Sequence, residues 1–141
     1  MSYSQILDNL FLGNQHSTKI LDVDLIVSLG CNSKQKTGLI NNIKYSIRDR
    51  LTFDITPFLD EVCDLIHIHL SKGKRVLLHC KSGIHRSPAF TIAYLVKYHK
   101  MTLDEAKEYV ADRRKIQFRE NFMKQIDSKN ESEWKKLIDV E

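Results

Sequence analysis

Long apolar runs are missing from this sequence: its most hydrophobic stretches, such as Leu25–Leu29 and Val76–Leu78, are strand-sized and far short of a membrane-crossing helix. The opening Met1-Ser2-Tyr3-Ser4 has neither a basic region followed by an apolar run nor a glycine at position 2, which excludes a signal peptide and a myristoyl anchor as expectations. Glycine and proline are scarce, five and two in 141 residues, and nothing reads as a linker, a repeat or a low-complexity tract. One continuous domain over residues 1–141 is expected. The three cysteines, Cys31, Cys63 and Cys80, are odd in number and lack metal-ligand spacing, which argues against a disulfide scaffold and against zinc. Charge of one sign does not dominate either. The net charge is +4, with basic residues dense around Arg48–Arg50, Lys72–Arg75 and Arg113–Lys115. That excess suits an anionic ligand or plain solvation equally. Without a basic tail or basic-aromatic repeats, nucleic acid is disfavoured as a partner. A cytoplasmic location, open also to the nucleus, is expected, with no membrane partner. Oligomeric state is not legible.

What is present alternates between strand and helix signals. Leu10–Leu12 reads as a short strand ended by the turn pair Gly13-Asn14, Leu25–Leu29 as a buried strand closed by Gly30, and Lys44–Ile47 as another short strand. Thr56-Pro57 reads as the N-cap and first residue of a helix, with Phe58, Val62, Leu65 and Ile66 at helical spacing and Gly73 as its stop. The strand Arg75–His79 follows, then a glycine-containing loop and an apolar helix over Pro88–Tyr98. Thr102 and Glu105 form a capping-box signature for a helix ending near Arg113. A last helical pattern, Asn121 to Leu137, is interrupted by the polar Ser128–Ser132. This order predicts an α/β domain with a central, mostly parallel sheet flanked by helices.

The chemistry concentrates between the strand ending at His79 and the helix after it. A compact loop containing Gly83 can turn successive backbone N–H groups inward as an anion nest, and the helix start adds its partial positive charge. Arg86 can grip two phosphate oxygens with its planar fork, as lysine could not. The same field favours the thiolate form of Cys80, and the Ser87 hydroxyl can donate to that sulfur and help it leave. A cysteine at a strand end is usually a packing residue. Gly83, Arg86 and Ser87 at their spacing from Cys80 make the reactive reading the stronger one.

The segment His79-Cys80-x-x-Gly83-x-x-Arg86-Ser87 resembles the phosphate-binding signature of the cysteine-dependent protein tyrosine phosphatases, and the chain is similar to their dual-specificity branch. The resemblance extends through the Ile6–Asn14 opening, the strand to Leu29, Ala93-Tyr94-Leu95 and Leu103–Ala106. It implies a tyrosine phosphatase-like fold, with Cys80 as nucleophile and Arg86 as phosphate ligand. The loop of Lys81, Ser82, Gly83, Ile84, His85 and Arg86 becomes the cradle, and His79 orients it. It also implies a phosphorylated protein as substrate, a shallow pocket open to phosphotyrosine and to phosphoserine or phosphothreonine, and no metal or cofactor. A general acid must protonate the leaving oxygen. Asp49, Asp54 and Asp60 are available, and Asp49, on a loop ahead of Phe53 and the helix, is the choice; Asp54 is the runner-up and can instead start the helix.

Several residues depart from that pattern. His85 stands where relatives often carry serine, and is read as facing solvent or filling a packing slot, with a charged role the alternative. Arg114 and Phe118-Arg119 replace common prolines and asparagine in the border of the site. Arg114 and Arg119 are read as solvated surface in slight preference to a second anion site. Some relatives carry a second cysteine at the position of Cys31, which raises a Cys31–Cys80 disulfide as a hypothesis. His67 and His69 do not share a helix face and are not read as metal ligands. Two other functions use the same motif: an RNA 5′-phosphatase and a non-catalytic phosphoprotein-binding module.

Overall fold

The computed structural model describes residues 2–30 and 41–136; Cys31 and its proposed disulfide lie outside the described residues. Five strands form one sheet: β1 (Tyr3–Leu7), β2 (Leu10–Gly13), β3 (Leu25–Leu29), β4 (Asn41–Tyr45) and β5 (Val76–His79), in the spatial order β1-β2-β5-β3-β4. β1 and β2 are an antiparallel hairpin turning at Asn9, whose φ is 67°; every other pairing is parallel. The expected mostly parallel sheet is therefore observed.

Strict alternation explains the layers. Leu10 and Leu12, Leu25, Val27 and Leu29, and Val76 and Leu78 join the main core on one face. Phe11, Ile26 and Leu77 point the other way, into a smaller cluster with Leu21 and Val23. Side chains change face at each residue, so strands buried on both sides must be apolar throughout. The main core is covered by α2 (Thr56–Ser71), α3 (Arg86–Tyr98), α4 (Leu103–Arg113) and α5 (Glu120–Lys129), while the short α1 (Ser17–Ile20) touches β5. α3 is buried at every residue from Ser87 to Val96, because α2, α4, α5 and the sheet all pack against it. Among the described residues no helix is long and apolar enough to cross a membrane.

Some boundaries differ from the sequence reading. β1 and α1 were not anticipated, and the strand expected over Lys44–Ile47 lies at Asn41–Tyr45. Thr56 is the first residue of α2 rather than its cap, which is Ile55; the Thr56 N–H donates to Asp54 Oδ1 at 3.0 Å, so the aspartate satisfies one donor at the helix start. Ser128–Ser132 does not interrupt the last helix, which widens into a π-helical turn, Asn130–Trp134. That turn places the Trp134 indole N–H 2.8 Å from Asp60 Oδ1. Thr102 caps α4 in a full capping box with Glu105, as its spacing predicted.

Candidate active site

The register of the sheet sets the stage. Gly13 of β2 and Ser28 of β3 lie opposite His79, the last residue of β5, so all three meet at the carboxyl edge of the sheet. Open parallel sheets place their ligands beyond that edge. His79 is fully buried, with Nε2 2.7 Å from Ser28 Oγ, which in turn lies 2.9 Å from Asn42 Oδ1. Burial drives the His79 imidazole down to about 4, against a hydrogen bond with the Cys80 backbone and with the charges of Arg86 and Lys44 adding to the effect. A neutral ring therefore props β5 against β3 and β4.

Cys80 follows, 1% exposed. Ser87, in the first turn of α3, holds its sulfur twice: Oγ lies 3.2 Å from Sγ and the backbone N–H donates to it at 3.4 Å. The loop from Lys81 to Arg86 is fastened from outside. The Lys81 carbonyl accepts from the Gln15 N–H at 3.2 Å, the Gly83 carbonyl from Arg114 Nε–H at 3.1 Å, and the Ile84 carbonyl from the Gln117 N–H at 3.2 Å. In a trans peptide the N–H points opposite to the carbonyl, so the amides of Ser82, Ile84 and His85 point away from those outer partners. Gly83 has φ +72°, and a Cβ there would lie 2.8 Å from the Gly13 carbonyl oxygen, so the loop closes only with glycine. The first turn of α3 holds no acidic residue, which leaves its positive end available to an anion.

Arg86 enters from the other side. Its Nη1 donates to the carbonyls of Gly30 at 3.1 Å and Ile47 at 3.0 Å. With one nitrogen anchored, the planar fork is held while its remaining N–H groups can meet phosphate oxygens. Arg86, Gly30, Ile47 and Asp49 line one open cleft with Lys44, Arg48 and Arg50. Four of those side chains are cationic and one is acidic, so the cleft attracts anions.

Asp49 is the aspartate that reaches this cleft. Its Oδ1 accepts from Arg119 Nε–H at 2.6 Å and its Oδ2 lies 2.8 Å from His85 Nδ1. Partial burial pushes the carboxyl up, but the hydrogen bonds and charges of Arg119 and His85 outweigh it and hold Asp49 below the ordinary carboxylate range. Asp60 lies elsewhere, tied to Lys97, Lys129 and Trp134. Two readings of the sequence are corrected. His85 does not face solvent or merely fill space, because both its ring nitrogens are engaged, Nδ1 by Asp49 and Nε2 by Gln117 Oε1 at 3.1 Å. Arg114 and Arg119 are not solvated surface; one fastens the loop and the other the carboxylate.

Among the described residues no group of three or more His, Cys, Asp or Glu side chains is placed to hold a metal ion. His67 stacks on Tyr98 at a ring separation of 3.9 Å, while His69 lies 2.9 Å from the Leu65 carbonyl, so the two diverge. Cys63, the other described cysteine, is enclosed in the core, where burial pushes its thiol well up.

Residues 10–132 match the family model described as dual specificity phosphatase, catalytic domain. The chain belongs to that family. This family member is 35% identical over 106 residues to dual specificity protein phosphatase 5 of Rattus norvegicus, covering 75% of this chain and 26% of that protein. It is 33% identical over 132 residues to the putative tyrosine phosphatase 123R of Invertebrate iridescent virus 6, covering 89% of this chain and 90% of that one. The chain thus spans 26% of the length of the first of these relatives and nearly all of the second. Among solved structures, the human tyrosine phosphatase-like serine/threonine/tyrosine-interacting protein superposes with a TM-score of 0.86 at 28% identity, covering 92% of this chain and 96% of that one.

Sequence reasoning about this family member overlooked the residues that act through their backbone. Gly30, Ile47 and Gly13 contribute carbonyl oxygens, which leave no mark in residue type. Ser28 did leave a signal. It is the polar residue within an otherwise apolar buried strand, and such a residue needs a partner.

Proposed function

We propose that the chain is a protein phosphatase that hydrolyses phosphotyrosine and phosphoserine or phosphothreonine through a phosphocysteine intermediate, the catalytic unit running over residues 1–141. The observation that carries this is the Ser87–Cys80 contact at 3.2 Å beside an arginine anchored at the wall of a cationic cleft. Family membership supplies the protein substrate class.

Cys80 attacks phosphorus as a thiolate, Arg86 and the amides of the Lys81–Arg86 loop take the equatorial oxygens, and Asp49 protonates the leaving oxygen. Water then attacks the phosphocysteine, Asp49 receives its proton, and the sulfur leaves while hydrogen-bonded to Ser87. Positive charge comes from Arg86, the amides and the start of α3, so the scheme calls for no metal and no cofactor. The partner is a phosphorylated protein and the proposed location is cytoplasmic, open to the nucleus.

Hydrolysis of an aryl phosphate by the wild type, Cys80→Ser and Asp49→Asn tests this, followed by phosphopeptides and triphosphate-ended RNA. An active wild type, an inactive Cys80→Ser and a phosphopeptide preference are expected. Full activity in Cys80→Ser would overturn the mechanism, and preference for RNA ends would reassign the substrate. A wild type that binds phosphopeptide without turnover would make it a recognition module. If Asp54→Asn, rather than Asp49→Asn, slows phosphopeptide hydrolysis, the acid is misassigned.

A further inference from the structure

The His85 side chain meets the carboxylate of Asp49 directly. Nδ1 lies 2.8 Å from Asp49 Oδ2, and Nε2 lies 3.1 Å from Gln117 Oε1. Both partners are oxygens. With the Gln117 carbonyl accepting from Nε2–H, the Nδ1···Oδ2 contact holds one shared proton. It reads as imidazolium against carboxylate, or as neutral imidazole against carboxylic acid, with the same heavy-atom positions. Arg119 grips the other oxygen of Asp49 at 2.6 Å, so the carboxylate is held between two donors. The side chains of His85, Asp49 and Arg119 are 23%, 30% and 17% exposed, shielded enough to couple and open enough to meet a substrate.

The surroundings make this pairing consequential. Arg48 and Arg50 flank Asp49 on its own loop, Arg86 and Lys44 share its cleft, Arg119 approaches from the segment before α5, and Arg114 and Cys80 lie on the loop side. An aspartate amid so many cations is a poor reservoir of protons at neutral pH, yet the first chemical step needs one. Its carboxyl is indeed held below the ordinary range, by Arg119 and His85 against the upward push of burial. A histidine can hold the missing proton. A bound phosphate dianion then adds negative charge to the cleft and favours keeping that proton on the pair.

We propose that His85 is the proton partner of Asp49: the proton given to the leaving oxygen is stored on the His85–Asp49 pair and supplied from His85 Nδ1. This rests on the reading of Asp49 as general acid. In the first step the Cys80 thiolate forms the S–P bond and the P–O bond to the leaving group breaks. The leaving oxygen takes the proton of Asp49, which Asp49 has taken from Nδ1; His85 is left neutral. In the second step water attacks phosphorus, its proton returns through Asp49 to Nδ1, the S–P bond breaks, and Cys80 leaves as thiolate. The sum is phosphate ester plus water to alcohol plus inorganic phosphate. His85 is thus a positioning residue acting through Asp49.

The test is kcat/KM against pH for wild type, His85→Asn and His85→Gln, with two esters: a fluorinated umbelliferyl phosphate, whose leaving group needs little protonation, and phenyl phosphate, which needs it. Both variants keep a neutral N–H donor near Asp49 but carry no transferable proton. Near neutral pH, phenyl phosphate is expected to lose about tenfold or more, with the alkaline limb moved down by about one unit, while the fluorinated ester changes less than about threefold. Either variant, if only one folds, is read in the same way. A wild-type pH profile and rate on phenyl phosphate in a folded variant would overturn the proposal, as would equal losses on both esters. A wild type inactive on both esters, by contrast, removes the phosphatase reading itself.

Discussion

Gly30 lies against Arg86: the arginine Nη1 donates to the glycine carbonyl at 3.1 Å, and a Cβ built on Gly30 would stand 2.2 Å from that nitrogen. Gly30 also has φ +84° and would bring its Cβ to 1.9 Å from the Ile47 carbonyl oxygen, the other anchor of Arg86. The glycine that ends β3 therefore leaves room for the guanidinium.

Gly30→Ala is expected to displace Arg86 and, because the added Cβ also meets the Ile47 backbone at a left-handed φ, to lower the denaturation midpoint. Misplacing a positioning group by about an ångström costs on the order of a hundredfold in rate. The prediction is a fall of that size in kcat/KM for an aryl phosphate, with weakened binding of vanadate. Wild-type kinetics in a folded Gly30→Ala would refute the anchoring role.

Ser87→Ala removes the hydroxyl 3.2 Å from Cys80 Sγ. A hydrogen bond to a charged leaving group contributes about 1.5–3 kcal/mol, which corresponds to roughly a ten- to hundredfold slower second step. Stopped-flow should show a burst of released phenol followed by slow turnover, with phosphoenzyme trapped by acid quench. An unchanged rate without a burst would show that the sulfur leaves unaided.

His79 predicts an acid-labile fold. Burial lowers its imidazole from 6.5 to about 4, so the unfolded chain takes up a proton at higher pH than the folded chain. The stability gained by keeping the ring neutral is complete above pH 6.5 and is lost as pH falls toward 4, in total about 3 kcal/mol. Urea denaturation between neutral pH and the edge of acid unfolding measures it. His79→Asn should be less stable at neutral pH yet show a shallower decline. Parallel curves for the two proteins would contradict the assignment.

Thr102→Ala separates fold from chemistry. Thr102 Oγ1 accepts from the Glu105 N–H at 3.1 Å, and Glu105 Oε1 accepts from the Thr102 N–H at 2.9 Å. Losing this cap should cost about 1 kcal/mol, read as a lower denaturation midpoint. kcat/KM should stay at the wild-type value, because α4 touches the site only beyond its far end, through Arg114.

What the residues alone determined is whatever depends on local order. The apolar run Leu25–Leu29, the capping box at Thr102 and the run His79–Ser87 each draw their meaning from near neighbours, and each was legible. The loop proposed to hold phosphate is such a case, since Cys80, Gly83, Arg86 and Ser87 are joined by a short chain. The tertiary structure decided the rest. Asp49, His85, Gln117 and Arg119 come from three separate segments, and only the parallel sheet and the path from α4 to α5 bring them within hydrogen-bonding distance. A histidine and an arginine that looked like surface became partners of Asp49, because a side chain's role follows the charge and burial it meets across the fold.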